Sequence, residues 1–121
     1  MPRNAQADNV PLTMRISSGI LRLTLNNPKR QNALSEKMLS YLSEGLDEAC
    51  LNSEVRVVII TSFGPVFCAG HDLKEMTAAR QHPDRGRAYF KKILAQCSIV
   101  MQKIVNCPKP IIAEVGGVAT A

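Results

Sequence analysis

GPVFCAGHDLKEM, Gly64 to Met76, passes from small and apolar residues through a histidine and an aspartate into a phrase of helical character. Asp72-Leu73-Lys74-Glu75 fits a capping box. Asp72 is the N-cap and Glu75 the third helical position, each side chain satisfying an otherwise unpaired backbone donor. Just upstream, Ala69 and Gly70 carry almost no side chain and let another molecule approach the main chain. Gly70 also admits a backbone angle closed to most residues. The N–H groups around His71 are then candidates to point outward at the carboxyl end of a strand, where open α/β sheets bind ligands. A donor fixed there can stabilise an oxyanion forming from a polarised carbonyl, an effect worth about 3–4 kcal/mol. A tight connection with small residues chosen only for packing fits the same spacing.

Other chemistries fit this stretch less well. Cys68 and His71 form a thiol–imidazole pair on paper, but they lie three apart on a turn with no acid to orient the ring. A single Cys-x-x-His without a second pair makes a poor metal site, so no metal is expected. GxGxxG and GxxxxGK[ST] are both absent, so nucleotide phosphate loops gain no support.

Outward from the centre, TMRISSGILRLTLNNP reads as two short strands around Ser18-Gly19, with Ile20, Leu21, Leu23 and Leu25 in a mostly alternating pattern. From Ser35 the period changes. Met38, Leu39, Leu42, Leu46, Ala49 and Cys50 recur at three- and four-residue steps, with Ser35 as N-cap and Glu36 in the first turn of an amphipathic helix. VRVVII, Val55 to Ile60, predicts a strand covered on both faces in a parallel sheet. A second long helix is expected around Arg87 to Asn106, its stripe formed by Phe90, Ile93, Leu94, Cys97, Met101, Ile104 and Val105 and its end set by Pro108 and Pro110. IIAEV, Ile111 to Val115, reads as another buried-type strand, with Gly116-Gly117 opening a turn. The order of strands and helices implies an α/β layer architecture with right-handed crossovers, preceded by a flexible tail over residues 1–12. The chain ends just after a diglycine turn, where the next helix of such a unit is expected, so its carboxyl end reads as a truncation.

Composition narrows the function classes. The 121 residues, 45% hydrophobic and 21% charged, are those of one globular folding unit, neither disordered nor membrane-spanning. The net charge of +5 is spread along the chain, and two Tyr, three Phe and no Trp offer little for bases to stack on, so nucleic acid is a minor reading. Cys50, Cys68, Cys97 and Cys107 lie far apart without a CxxC pair, which fits reduced thiols. The polar amino terminus has no secretory signal, and a non-secreted protein is expected.

Three phrases taken in order, LTLNNPKRQNALS (Leu23 to Ser35), GPVFCAGHDLKEM and KPIIAEVGGVATA (Lys109 to Ala121), resemble the crotonase family, the enoyl-CoA hydratase/isomerase superfamily. The resemblance runs through nearly all of the chain after the tail. It implies a spiral of ββα turns over residues 13–121, cut after roughly its first half, assembled as homo-trimers or hexamers and binding acyl-CoA thioesters in fatty-acid metabolism. Coenzyme A would be part of the substrate, with no separate cofactor. By the same resemblance the backbone N–H of His71 is the first oxyanion donor. Ala69, Gly70, His71, Asp72 and Leu73 would line the adenine and thioester pocket through the main chain. Lys29, Arg30 and Ala33 match the segment that meets the CoA phosphates and pantetheine, although two solvated loop cations are the plainer reading of Lys29 and Arg30.

The departures count too. The family's second oxyanion donor comes from the small-residue turn on whose edge Ala121 lies, and the acid–base glutamates of hydratases lie further on. Neither Glu75 nor Glu114 takes their place. The resemblance therefore implies a hydratase-like lyase for the longer protein and an inactive 121-residue chain. Isomerase, hydrolase or decarboxylase chemistry on acyl-CoA remains open, as does a non-catalytic acyl-CoA-binding or interaction protein. The compartment would be the cytoplasm in a bacterium or the mitochondrial matrix in a eukaryote. Half a spiral also leaves apolar surface uncovered.

Overall fold

The computed structural model describes residues 10–120; residues 1–9 of the expected tail, and Ala121, lie outside them. Pro11 and Leu12 are already buried, and the first strand, β1 (Leu12–Ser17), opens one residue ahead of the expected boundary. Ser18 and Gly19, both at positive φ, turn the chain into β2 (Ile20–Leu25), which pairs antiparallel with β1. Along β2 every second residue, Leu21, Leu23 and Leu25, points into the core.

Those leucines meet helix α1 (Glu36–Leu51), which starts where expected because Ser35 Oγ accepts the Met38 N–H at 3.0 Å. Met38, Leu39, Leu42, Leu46 and Ala49 are buried along its inner face. Each of the leucines contributes about 1.5–3 kcal/mol by leaving water. The chain then returns as β3 (Val57–Ser62), parallel to β2, and later as β5 (Ile111–Ala113), parallel to β3, giving the order β1-β2-β3-β5.

Two strand expectations need correction. β3 begins at Val57 instead of Val55, and it is buried on one face only, by Val58 and Ile60. β5 stops at Ala113, with Ile112 52% exposed. The cause is common to both. Arg22, Ile59 and Ile112 are register partners on the face away from the core, and no described element covers Ile112 there. Glu114, just past β5, bonds through its N–H to the Ile60 carbonyl and pairs with Arg22 across this open face at 3.0 Å.

Helix α2 (Leu73–Ala79) is short, and α3 (Arg87–Asn106) has the limits that its sequence predicts. Its apolar stripe divides. Ile93 and Val100 are buried and Cys97 and Ile104 pack beside them, whereas Leu94, Met101 and Val105 stand exposed at 52%, 42% and 81%. The first group joins the core that α1 helps to form, and the second stays outside it.

A second, two-stranded sheet was not legible in the sequence. β4 (Val66–Cys68) pairs parallel with β6 (Val118–Ala119). The pairing depends on Gly117. A Cβ at that position would fall 2.1 Å from the Pro65 carbonyl oxygen, so the strands meet only because the side chain is a hydrogen. Beyond β6, Thr120 donates its N–H to Cys68 O at 2.9 Å and its hydroxyl to Ala69 O at 3.1 Å.

Candidate functional site

The central stretch joins the end of β4 to the start of α2, and its main chain is held from both sides. Ala69 N–H donates to Gln31 O at 3.1 Å, Leu34 N–H donates to Gly70 O at 2.6 Å, and Gly70 N–H meets Cys68 Sγ at 3.4 Å. Gly70 takes φ 88°, a left-handed conformation of the kind that a glycine admits. The next amide, that of His71, donates to no atom among the described residues. Its imidazole Nδ1 is buried and likewise without a hydrogen-bond partner among them.

Asp72 fixes the other side. Nearly fully buried, it accepts the Lys74 and Glu75 N–H groups on Oδ1 at 3.0 and 3.2 Å, as an N-cap should. The same oxygen takes an ion pair from Arg30 Nη2. The reciprocal half of the capping box does not form. Glu75 Oε1 instead accepts the Glu36 N–H and the Tyr89 hydroxyl, each at 3.0 Å, because the first turn of α1 presents its own unpaired donor within reach. Glu75 thereby ties the starts of α1 and α2 to α3. Tyr89 is held neutral, its hydroxyl pushed up to about 12 first by burial and then by its bond to the Glu75 carboxylate and that group's charge.

The opposing wall is a single 3-10 turn, Pro28–Arg30, followed by Gln31 and Asn32, both left-handed at φ 56° and 54°. Asn32 is fully buried and acts as the fastener of this loop. Its Oδ1 accepts the Asn27 N–H at 2.7 Å, and its amide donates to Phe63 O and Val66 O at 3.1 and 2.8 Å. Sequence reasoning missed it. The one available signal is that asparagine tolerates the left-handed region and bonds readily to main chain.

Between the two walls lies a cleft of about 480 Å³. The structure brings Lys29, Arg30, Ala33, Ala69, His71, Asp72 and Leu73 together around it, with Gly70 buried behind the lining. Lys29 is exposed, and it also borders a second cavity of about 340 Å³ alongside Pro28, Lys37 and Phe63. Asp72 is the one carboxylate among the lining residues, and its capping bonds and Arg30 already occupy it. Cys68 Sγ takes the Gly70 N–H and forms no hydrogen bond with the imidazole, so no activated thiol results. Among the described residues no cluster of His, Cys, Asp or Glu could hold a metal ion. Nor is any helix among them long and apolar enough to cross a membrane.

A main-chain donor is thus left without a partner among the described residues, between a strand and a capped helix and beside a cleft with cations at its rim. The chain belongs to the enoyl-CoA hydratase/isomerase family, whose sequence profile matches residues 15–121. Its mixed α/β architecture is that of the crotonase fold.

Among particular relatives, it is 40% identical to rat mitochondrial enoyl-CoA hydratase domain-containing protein 3, over 99% of this chain and 38% of that protein. The crystal structure of the human protein of the same name matches with a TM-score of 0.81 at 40% identity, covering 92% of this chain and 42% of that one. An enoyl-CoA hydratase from Mycobacterium smegmatis matches with a TM-score of 0.77 at 43% identity, over 87% and 39% of the two chains. The chain thus spans about two-fifths of the length of these relatives.

Proposed function

We propose that the cleft receives the thioester end of an acyl-CoA and that the His71 main-chain N–H is one of the donors that hold its carbonyl oxygen as negative charge develops. The observation that carries this reading is the open amide at residue 71, fixed between Gly70, which is bonded to Leu34, and Asp72, which caps α2. Such a donor needs no reorganisation when an enolate oxygen forms, and its loss costs about 3–4 kcal/mol where the chemistry depends on it. Lys29 is unpaired among the described residues and suits the coenzyme phosphates; Arg30 reaches them only in competition with Asp72. Coenzyme A enters as part of the substrate, and no separate cofactor is proposed.

In the longer protein this half-site belongs to a hydratase-like lyase of fatty-acid metabolism, assembled as a trimer or paired trimer. Its compartment is the mitochondrial matrix in a eukaryote and the cytoplasm in a bacterium. One feature favours a second reading, binding of acyl-CoA without turnover. Asp72, the single carboxylate lining the cleft among the described residues, is already satisfied by its capping bonds and Arg30, so it is not free to take a proton from a substrate. For the 121-residue chain both readings give binding with little or no hydration.

Calorimetric titration of crotonyl-CoA into the chain tests the site. His71→Ala keeps the backbone donor and should keep the affinity, whereas His71→Pro deletes the donor and should weaken binding about tenfold or more. Lys29→Ala should weaken it several-fold, and Arg30→Ala less. Equal affinity across the set overturns the assignment, and clear hydration of crotonyl-CoA by the purified chain overturns the inactive reading.

A further inference from the structure

At the far end of α1 from the cleft, about 20 Å along the helix, two thiols touch. Cys50 lies in the last turn of α1, and Cys107 is the C-cap residue of α3. They are 57 positions apart in sequence, yet Cys50 Sγ donates to Cys107 Sγ across 3.5 Å. Both are free and half-buried, so a small oxidant can reach them. The segment carrying Cys107 is already clamped to the end of α1, because Lys109 Nζ donates to Ala49 O and Asn52 O at 2.6 Å each. The two sulfurs are therefore held face to face by contacts independent of any bond between them.

We propose that Cys50 and Cys107 form an oxidative modification site, a dithiol that peroxide converts to a disulfide locking the carboxyl end of α1 to that of α3. The chemistry balances in two steps. Hydrogen peroxide oxidises one thiol to a sulfenic acid and is itself reduced to water. The second sulfur then attacks the first, its proton leaves with the sulfenic oxygen as a second water, and the S–S bond forms. Closing from contact to bond length requires the sulfurs to approach by about 1.5 Å, which side-chain rotation and a small shift of the Cys107 turn can supply. Oxidation of the pair is favoured by the contact geometry and not by an activated thiolate. Burial first, and then the hydrogen bond with Cys107, push the Cys50 thiol up, so it stays protonated at neutral pH.

The bond would close a loop containing β3, β4, α2 and α3. It constrains the unfolded chain more than the folded one and so should raise stability while leaving the distant cleft alone. The inference is separate from the acyl-CoA reading, and failure of either leaves the other standing.

The test uses the purified 121-residue chain, reduced and then treated with a small excess of hydrogen peroxide. Digestion without reductant should yield one linked pair of peptides, bearing Cys50 and Cys107. The four free thiols should fall to two, and the melting temperature should rise by roughly 5 °C or more, reversibly with dithiothreitol. The Cys68→Ser/Cys97→Ser double variant should behave the same way, and Cys50→Ser should lose both the link and the rise. Separate sulfenic or sulfinic acids without a link, a Cys68–Cys97 link, a link between two molecules, or an unchanged melting temperature would each overturn the proposal.

Discussion

Helices α1 and α3 both carry apolar stripes of ordinary helical period, but the chain treats them differently. The stripe of α1 is buried almost throughout, against β2 and α3; α3 contributes Ile93 and Val100 to the core, with Cys97 and Ile104 beside them, and leaves Leu94, Met101 and Val105 to solvent. Period fixes which residues share a face. Whether that face leaves water depends on elements that arrive from elsewhere in the chain, so identical patterns carry different energies.

The largest effect expected from that contrast is at Leu46, which is fully buried in α1. Leu46→Ala should lower the unfolding free energy by about 2–5 kcal/mol in urea titration, from lost transfer energy and the cavity left behind. A smaller but still sharp loss is expected at Asn32. Asn32→Ala strands the Asn27 N–H and the Phe63 and Val66 carbonyls. It should cost about 2–3 kcal/mol and loosen the Lys29–Ala33 wall, which crotonyl-CoA titration would detect as weaker binding.

Tyr89 comes third and has a pH signature. Its hydroxyl titrates at about 12 in the folded chain and near the ordinary 10.0 when unfolded. Its contribution is therefore whole below pH 10 and is lost as the pH climbs towards 12. Tyr89→Phe should cost about 1 kcal/mol at neutral pH and flatten the alkaline fall in stability measured by denaturant titration. The smallest change is expected on the outer face of α3. Leu94→Ala and Val105→Ala should each lie within about 0.5 kcal/mol of the parent. A loss there as large as that at Leu46 would break the contrast between the helices.

The parts of the fold that could be read from the sequence are those decided within a few residues. Ser35 caps α1, Asp72 caps α2, Gly70 takes an angle that a glycine admits, and α3 runs between its expected limits, because caps and turns draw on near neighbours. β4 could not be read. Three residues are too few to display an alternation, and its partner β6 lies some fifty positions on. The destinations of Glu75, Asn32 and Arg30 were equally hidden, since each bonds to groups that are distant in sequence. Only the assembled chain shows that Arg30, one of the cations matched to the coenzyme segment, spends its charge on Asp72.

The oxygen of Pro65 lies where any side chain at position 117 would begin. Even an alanine there would prise Val118 and Ala119 from β4 and withdraw Thr120 from the Cys68 and Ala69 carbonyls that it grips. Thr120 lines the cleft, so one wall of it keeps its place only while residue 117 carries no side chain.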